Sequence, residues 1–311
     1  MHSQLAALRS ERVLVTGATG FIGRYFGEFL VQHQIETYGL SRTAAAQTLP
    51  RNVVPVPIDI QEPAEVMGAF EQIRPDRVVH LAAAGVTEPF LPIEQAVEVN
   101  IRGTVNLLEA SERIGVRRFV HVGTAYERPA AETVRGPGNP YVASKLGAWS
   151  FWHAFAQEHK LNSIALRLFH VYGPRQSARG LVSAAIRAAL SGETLRMTQG
   201  EQLRDFVYVT DIVQALIAAL ATLEFSTQTY DIGSGTGRSV RSVVAQIFEQ
   251  IDGDGHYELG ALSYRPNEEM VLIAQPATTR HDLGWTTTVD FEVGLAATIQ
   301  ACRSGDSQYE F

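Results

Sequence analysis

Tyr141 and Lys145 are the two residues whose types and spacing most directly suggest acid–base chemistry. They lie four residues apart in a predicted helix over residues 141–159, so their side chains share one helix face. A tyrosine hydroxyl has an ordinary pKa of about 10, and a cation held nearby stabilises the phenolate and lowers that pKa. The pair therefore predicts a tyrosine that exchanges a proton with a substrate near neutral pH, with an ordinary pair on a helix surface as the alternative when the spacing is taken by itself.

A second group of residues with a possible chemical role consists of Gly17, Gly20 and Gly23. They stand between a predicted strand at residues 12–16 and a helical pattern that runs to about residue 32. In that order, backbone N–H groups can meet a pyrophosphate at the helix N-terminus. The spacing is G-x-x-G-x-x-G instead of G-x-G-x-x-G, so the motif by itself leaves an unliganded glycine-rich turn open as the alternative.

The elements that must position these residues alternate between strand and helix patterns. Such alternation predicts an α/β fold with a doubly wound parallel sheet covered on both faces. After residue 172 the elements become shorter, which predicts a first domain at residues 1–172 and a smaller C-terminal α/β lobe at residues 173–311, with some segments returning to the first domain. Further strands are predicted at 35–40, 53–58, 76–83, 117–124 and 163–171, and further helices at 63–73 and 93–115.

Composition and charge exclude several classes of function. The 311 residues carry a net charge of −7, which offers no basic surface to a nucleic acid. The single cysteine, Cys302, excludes an internal disulfide framework and a thiolate metal cluster, and the nine histidines show no ligand spacing, so no metal is expected. The N-terminus does not resemble a signal peptide, and the most apolar stretch, from Asp211, is shorter than the ~20 residues that span a bilayer. We therefore expect a cytoplasmic protein without a membrane partner.

Several motifs, in order along the chain, resemble the extended short-chain dehydrogenase/reductase family of NAD(P)-dependent sugar epimerases, dehydratases and reductases. "VTGATGFIG" at 15–23 is similar to its nucleotide-binding segment, and "PYVASK" at 140–145 is similar to its catalytic helix. The resemblance implies a Rossmann-type fold with a substrate-binding second lobe. The other stretches are "IDI" at 58–60, "HLAAAG" at 80–85, "VNIRGTVNLLEA" at 99–110, "RLFHVYGP" at 167–174, "RDFVYVTDIVQAL" from Arg204, "YDIGSG" from Tyr230 and "HDLGW" from His281.

The resemblance also implies which residues bind the dinucleotide. At the end of the second strand, Ser41 and Arg42 stand where an NAD enzyme would offer a carboxylate to the ribose 2′-hydroxyl. This pair can hold a 2′-phosphate, so NADP(H) is favoured and NAD(H) is the alternative. The expected cofactor-binding residues are Gly17, Thr19, Gly20, Phe21, Ile22, Gly23, Ser41, Arg42, Asp59, Ile60, Leu81, Ala82, Ala83, Asn100, Tyr141 and Lys145.

The same resemblance implies a catalytic triad and a nucleotide-sugar substrate. Thr124 falls where the family keeps a Ser or Thr that hydrogen-bonds the substrate oxygen, and it joins Tyr141 and Lys145 as the catalytic set. Arg204 and Arg265 fall where relatives bind a diphosphate, for which a forked guanidinium is well suited. The expected substrate-binding residues are Thr124, Tyr141, His170, Arg204 and Arg265, with a pocket-wall histidine as the alternative for His170.

These expectations favour a reductase. Ala125 and Tyr126 stand where sugar 4,6-dehydratases of the family carry an Asp-Glu pair, which argues against dehydration. We expect NADPH-dependent reduction at C4 of a nucleoside-diphosphate 4-keto-6-deoxyhexose. The alternatives are a 4-epimerase that retains its NAD(P), and a non-catalytic NADP-sensing or scaffold protein on the same fold.

The aromatic content of the catalytic helix predicts a second copy of the chain as a partner. Trp149, Phe151, Trp152 and Phe155 surround more of that helix than one sheet-facing stripe requires. We therefore expect a homodimer built on the helices at 93–113 and 141–159, with a helix buried inside one chain as the alternative.

Overall fold

The helices and strands follow the predicted alternation. The computed structural model describes residues 2–127, 138–226, 228–266 and 268–305. Its strands are β1 (Arg12–Thr16), β2 (Glu36–Leu40), β3 (Val54–Val56), β4 (Arg77–His80), β5 (Arg118–Thr124), β6 (Ser163–Leu168), β7 (His170–Tyr172), β8 (Thr194–Arg196), β9 (Leu203–Arg204), β10 (Phe206–Tyr208), β11 (Thr229–Ile232), β12 (Arg238–Ser239), β13 (His256–Glu258) and β14 (Val271–Leu272). Its helices are α1 (His2–Leu8), α2 (Phe21–Gln32), α3 (Pro63–Ile73), α4 (Ile93–Ala96), α5 (Gly103–Ile114), α6 (Pro140–Glu158), α7 (Leu181–Ser191), α8 (Val209–Ala221), α9 (Val240–Ile251), α10 (Ala277–Leu283) and α11 (Phe291–Arg303), and a π-helical segment, Val97–Arg102, joins α4 to α5.

The chain divides into two compact units. The first unit comprises Met1–Leu168, Val213–Tyr230 and Ala277–Trp285, and the second comprises Phe169–Ile212, Asp231–Pro276 and Thr286–Phe311. The chain enters the second unit after Leu168, four residues before the predicted boundary at residue 172. The reason is that the predicted strand 163–171 is in fact two strands, since β7 leaves β6 and pairs in parallel with β10.

The first unit is built on a seven-stranded parallel sheet in the order β3-β2-β1-β4-β5-β6-β11. This order confirms the predicted Rossmann-type doubly wound fold. The order of strands reverses between β1 and β4, where Thr16 lies beside His80. The loops that follow β1 and β4 therefore leave the same edge of the sheet, at the switch point where such folds bind ligands.

Buried central strands show that this sheet is covered on both faces. All four residues of β4 and six of the seven in β5 are buried, including the polar residues Arg77, His80, Arg118 and His121, as expected for central strands of a parallel sheet. Phe70 of α3, Leu107 of α5 and Trp152 of α6 belong to the core that covers them. The second unit has its own core, centred on Tyr172, Ile186, Val244, Phe291 and Leu295.

Two features are absent from the described residues. No described helix has the length and apolar content that crossing a membrane requires. Within the same residues, no group of three or more His, Cys, Asp or Glu side chains is placed to hold a metal ion.

Candidate active site

The glycine-rich loop after β1 is shaped by close backbone contacts. Gly17 has a φ of +66°, its N–H donates to Leu40 O at 3.0 Å, and a Cβ on it would lie 2.8 Å from Ala82 N. A Cβ on Gly23 would overlap the Gly17 carbonyl oxygen. Only glycine fits these two positions, because the backbone after β4 lies directly against Gly17 and the Gly17 carbonyl lies directly against the first turn of α2.

This loop has the features that a dinucleotide pyrophosphate needs. Gly20 caps α2 and donates its N–H to Gly17 O at 2.9 Å, while Phe21 and Ile22 open the helix. The first N–H groups of a helix have no partner within it, so they are available to an anion, and the helix dipole favours negative charge there. The residues present therefore fit the phosphates of the expected cofactor.

The end of β2 places the residues expected to select the cofactor. The Ser41 hydroxyl lies 3.1 Å from the Thr19 hydroxyl, and Arg24 Nε donates to Thr19 O at 2.9 Å. Arg42 follows with an exposed side chain. Ser41 and Arg42 thus stand beside the glycine loop with no carboxylate at either position.

The two cofactor-binding residues expected in the IDI stretch, Asp59 and Ile60, have different surroundings. The Asp59 carboxylate accepts hydrogen bonds from Gln61 N at 3.0 Å and from Gln61 Nε2. Ile60 is buried, and a Cβ on Gly103 would lie 2.6 Å from its Cδ1. Asp59 keeps a half-buried carboxylate at the surface, whereas Ile60 packs inward against α5.

A buried histidine that the sequence reasoning missed connects the switch-point loops. Thr104 Oγ1 donates to Asn100 O at 2.6 Å, so it accepts from His80 Nε2 at 3.0 Å. His80 Nδ1 then accepts from Thr16 Oγ1 at 2.8 Å, and Thr16 Oγ1 in turn accepts from Ala82 N at 3.1 Å. Burial lowers the pKa of His80 to about 3, so the ring is neutral and serves as a fixed link between β1, β4 and α5.

Asn100 lies in the π-helical segment, where irregular turns often mark functional sites. Its Oδ1 accepts from Ala84 N at 2.7 Å, and its Nδ2 donates to Ala84 O at 3.0 Å and to Ser144 Oγ at 2.8 Å. Ser144 donates to Tyr141 O at 2.9 Å. Asn100 therefore ties the loop after β4 to the turn of α6 that carries Tyr141, and its expected contact with the cofactor stays a prediction.

The start of α6 brings the three expected catalytic residues together. Asn139 caps the helix by accepting from Val142 N at 2.9 Å, which places Tyr141 in the first turn. The Tyr141 hydroxyl is hydrogen-bonded to the side chain of Thr124 at the end of β5. Lys145, one turn further along, is buried.

Lys145 is held by the end of β5 and by a carboxylate that the sequence reasoning missed. Its Nζ donates to Val122 O at 2.9 Å and lies 3.7 Å from Glu127 Oε1. Burial lowers the pKa of Lys145 and raises the pKa of Glu127 to about 7. In the sequence, Glu127 is recognisable only as an acidic residue three positions after Thr124, the residue expected to bind the substrate oxygen.

The net shift on Tyr141 is opposite to the one predicted from the sequence. Burial raises the pKa of its hydroxyl, the charge of Glu127 raises it further, and the hydrogen bond from Thr124 acts in the other direction. The expectation of a lowered pKa was therefore wrong, because it considered the Lys145 cation without the desolvation or the Glu127 carboxylate. Tyr141 is a protonated hydroxyl near neutral pH.

The remaining expected site residues lie in the second unit. Arg204 is buried, and its guanidinium donates to Glu268 Oε1 at 2.7 Å and to Leu203 O at 3.0 Å. Burial and the nearby Arg204 charge lower the pKa of His170 to about 3, so its ring is neutral. Arg265 is exposed, and its carbonyl accepts from Glu268 N at 3.1 Å. Glu268, which the sequence reasoning missed, thus links the two arginines.

Similarity to known proteins covers nearly the whole chain. The profile of the NAD dependent epimerase/dehydratase family matches residues 13–233. The chain is 30% identical to dTDP-glucose 4,6-dehydratase of Neisseria gonorrhoeae, over 93% of this chain and 95% of that protein. It is similar to the crystal structure of Thermus thermophilus UDP-glucose 4-epimerase in complex with NAD, with a TM-score of 0.80 and 30% identity over 94% of this chain and 99% of that one. It is also similar to the Thermotoga maritima UDP-glucose 4-epimerase with UDP-glucose, with a TM-score of 0.83 and 28% identity over 94% and 99%.

Proposed function

Because the chain belongs to the NAD dependent epimerase/dehydratase family of extended short-chain dehydrogenase/reductase enzymes, we propose that it reduces C4 of a nucleoside-diphosphate 4-keto-6-deoxyhexose with NADPH. The observation that carries this choice is the pair Ser41 and Arg42 beside the glycine loop, which offers a hydroxyl and a guanidinium to a 2′-phosphate and so favours a cofactor drawn from the NADPH pool. Reduction of a carbonyl also needs a proton donor at the oxygen, and the hydroxyl of Tyr141 can supply that proton. Consumption of NADPH by a 4-keto sugar tests the proposal.

The side chains divide the work of this reaction among them. A dinucleotide held by the glycine loop through its pyrophosphate would supply the hydride for C4. Tyr141 donates its proton to the carbonyl oxygen, and Thr124, hydrogen-bonded to Tyr141, orients the same oxygen. The Lys145 ammonium stabilises the tyrosinate that remains, because a cation one helical turn away favours the charged form. Proton transfer of this kind contributes about 10²–10⁴-fold to the rate.

NADP(H) is the proposed cofactor, with NAD(H) as the alternative. Ser41 and Arg42 follow β2 beside the glycine loop and offer a hydroxyl and a guanidinium to a 2′-phosphate. The Thermus relative was solved with NAD, which favours the alternative. Dissociation constants of NADPH and NADH, measured on the purified protein, separate the two.

The second unit is proposed to recognise the diphosphate of the substrate. Buried Arg204 donates to Glu268 and Leu203, and the N–H of Glu268 donates to the carbonyl of exposed Arg265. A guanidinium is well suited to phosphate oxygens, so these two arginines are the proposed diphosphate ligands. Neutral His170 beside Arg204 adds a polar wall without charge. A thermal-shift panel of UDP, dTDP, GDP and CDP with NADP present identifies the nucleotide, since a ligand that binds only the native state raises Tm.

A 4-epimerase is the second candidate, favoured by the similarity to two UDP-glucose 4-epimerases. An epimerase would convert a 4-hydroxy nucleotide sugar to its C4 epimer with no net change in cofactor. Dehydration is disfavoured by Ala125 and Tyr126, which supply no acid pair after Thr124. The chain is nevertheless similar to a 4,6-dehydratase, so product analysis with dTDP-glucose belongs in the same assay.

A homodimer through the helix layer of α4, the π-helical segment and α6 is also proposed. Of the four Trp and Phe residues in α6, Trp152 is buried, Trp149 and Phe155 are half-buried, and Phe151 is 55% exposed. Ile93 on α4 is 72% exposed, and α6 packs against both α4 and the π-helical segment. Exposed apolar side chains gathered on one helix layer are typical of a protein interface.

A further inference from the structure

Ser144 is a buried residue of α6 that stands one position before Lys145 and has no role in the proposed reaction. Its hydroxyl donates to Tyr141 O at 2.9 Å and lies 2.8 Å from Asn100 Nδ2. A hydroxyl has a single hydrogen to donate, and a carbonyl can only accept, so the bond between Asn100 and Ser144 must be donated by the amide. Ser144 therefore connects the side chain of Asn100 to the main chain of Tyr141.

The loop after β4 fixes the orientation of the Asn100 amide. Ala84 N donates to Asn100 Oδ1 at 2.7 Å, and Ala84 O accepts from Asn100 Nδ2 at 3.0 Å. An amide turned the other way would place its NH₂ against the Ala84 N–H and its oxygen against the Ala84 carbonyl, and both bonds would be lost. The two Nδ2 hydrogens of Asn100 are thus used on Ala84 O and Ser144 Oγ.

The same loop also holds Tyr141 from its N-terminal side. Tyr141 is the second residue of α6, so its N–H has no partner within the helix, and it donates to Pro89 O at 3.2 Å. Gly85 has a φ of +89°, and a Cβ on it would lie 3.2 Å from Tyr141 Cβ and 2.7 Å from Leu91 Cδ2. The N–H and the carbonyl of Tyr141 are therefore both connected to the loop after β4.

Close packing of α6 on the π-helical segment accompanies this connection. A Cβ on Gly147 would lie 2.9 Å from Ile101 Cδ1, so the glycine leaves room for the side chain that follows Asn100. Irregular helical turns of this kind often occur at functional sites. The bond between Asn100 and Ser144 thus joins two closely packed helical segments of the first unit.

We propose that Ser144 is a positioning residue that, together with Asn100, fixes the main chain of Tyr141 against the loop after β4 and so keeps the tyrosine hydroxyl where it meets the substrate oxygen. This inference rests on the proposed function only in that Tyr141 transfers a proton. A misplacement of about 1 Å can lower the rate of a reaction about 100-fold, so the placement of the proton donor has a direct effect on kcat. Ser144 acts through Tyr141 and does not itself exchange a proton with the substrate.

The first test is Ser144→Ala, which removes the connection to the Tyr141 carbonyl. Alanine is a better helix former than serine, so the variant should fold. With NADPH and a 4-keto sugar, we expect kcat to fall about three- to tenfold, while the KM for the sugar and the Kd of NADPH stay within about twofold of wild type. An unchanged kcat overturns the proposal.

The same substitution in a Tyr141→Phe background shows whether Ser144 acts through the tyrosine. A phenyl ring has no proton to place, so adding Ser144→Ala should lower the residual rate by less than about twofold. A fall of the same size in both backgrounds would mean that Ser144 acts on something other than the Tyr141 hydroxyl, and it would overturn the proposal.

Asn100→Asp tests the other end of the connection. The carboxylate still accepts from Ala84 N but cannot donate to Ala84 O or to Ser144 Oγ. At saturating NADPH we expect kcat to fall about 10- to 100-fold, because two buried bonds are lost. With Ser144→Ala added, the combined loss should be smaller than the product of the two single losses, since both changes break the same bond. Losses that multiply would contradict the proposal.

Ser111→Ala is the matched control. Ser111 on α5 is also a buried serine whose hydroxyl donates to a main-chain carbonyl, Leu107 O at 2.6 Å. We expect kcat in Ser111→Ala to equal that of wild type. If Ser111→Ala lowers kcat as much as Ser144→Ala does, the loss reflects general damage to the helix layer and the proposal fails.

Amide hydrogen exchange of the free protein tests the connection without any substrate. In Ser144→Ala we expect faster exchange in residues 139–146, because the first turn of α6 loses one of the bonds that hold it, and no change there in Ser111→Ala. If no 4-keto sugar consumes NADPH, the reductase proposal fails and the exchange decides: faster exchange supports the role of Ser144, and unchanged exchange overturns it. If reduction is observed but Ser144→Ala is as fast as wild type, only the role of Ser144 fails.

Discussion

Glu127 Oε1 lies 3.7 Å from Lys145 Nζ, and both side chains are buried at the end of β5. A buried ion pair repays its desolvation poorly, so this contact is weak evidence of stabilisation. It brings a carboxylate beside the lysine that shares a helix with Tyr141, whose pKa is raised first by burial. The pair thus adds a buried carboxylate to the expected catalytic set.

Gly17→Ala should abolish most cofactor binding. A Cβ at this position would lie 2.8 Å from Ala82 N, and the backbone has a φ of +66°. We expect the Kd of NADPH to rise roughly tenfold or more, since about 1.4 kcal/mol of lost contact is a factor of ten. Gly115→Ala is the matched control, because Gly115 has a φ of +77° but open space around it. Both variants lose stability; equal loss of NADPH binding in both would contradict the proposed role of the loop.

Arg42→Ala should reduce the preference for NADP(H). A hydrogen bond to a charged group contributes about 1.5–3 kcal/mol, so we expect the Kd of NADPH to rise roughly 10- to 100-fold with little change for NADH. Isothermal titration with both nucleotides measures the difference. Arg51→Ala, at another exposed arginine of the first unit, serves as the control. Equal effects on both nucleotides would mean that Arg42 does not contact a 2′-phosphate.

The buried ring of His80 predicts a loss of stability in acid. Burial lowers the pKa of His80 in the folded state to about 3, whereas its ordinary value is 6.5. Between these two pH values, His80 is therefore protonated in the unfolded chain and neutral in the folded chain. Stability from this group is therefore complete above pH 6.5 and falls by about 1.4 kcal/mol per pH unit as the pH decreases toward 3.

Urea unfolding of wild type and His80→Gln between pH 6.5 and 4.5 measures the contribution of His80 to the pH dependence of the free energy of unfolding. The variant is less stable at pH 6.5 because it loses the links to Thr16 and Thr104, but its stability should fall less steeply with pH. His159→Gln, at an exposed histidine, should keep the wild-type slope. Parallel curves for wild type and His80→Gln would show that His80 is not buried as a neutral ring.

Phe151→Glu should convert the proposed homodimer to a monomer. The side chain is 55% exposed on α6, and a charge at the centre of an apolar interface carries a large desolvation cost. Sedimentation velocity over a range of concentrations gives the oligomeric state. Val293→Glu, at an exposed apolar position on α11, should leave the dimer intact. A wild-type mass that stays monomeric at every concentration would remove the interface proposal.

Local patterns in the sequence were sufficient for much of the site. The four-residue spacing of Tyr141 and Lys145 predicted a shared helix face, and the structure places both on α6. The glycines between β1 and α2 predicted a tight turn, and the backbone of Gly17 confirms it. These features depend on residues close together in the chain, which is why a periodicity or a spacing could predict them.

Contacts between distant segments could not be predicted in this way. The effect of Glu127 on Tyr141 depends on a turn and a helix that meet only in the folded chain. The division of the predicted strand 163–171 depends on the pairing of β7 with β10, more than thirty residues away. No spacing in the sequence pointed to Glu268 as the partner of Arg204.

The most direct measurement is the oxidation of NADPH by the purified protein in the presence of 4-keto-6-deoxy nucleotide sugars. We expect loss of the reduced-nicotinamide absorbance in proportion to the sugar added, and a rate about 10²–10⁴-fold lower in Tyr141→Phe, which should still fold and bind NADPH. If no 4-keto sugar consumes NADPH, while a 4-hydroxy nucleotide sugar is converted to its C4 epimer without net cofactor change, the protein is an epimerase and the reductase proposal is contradicted.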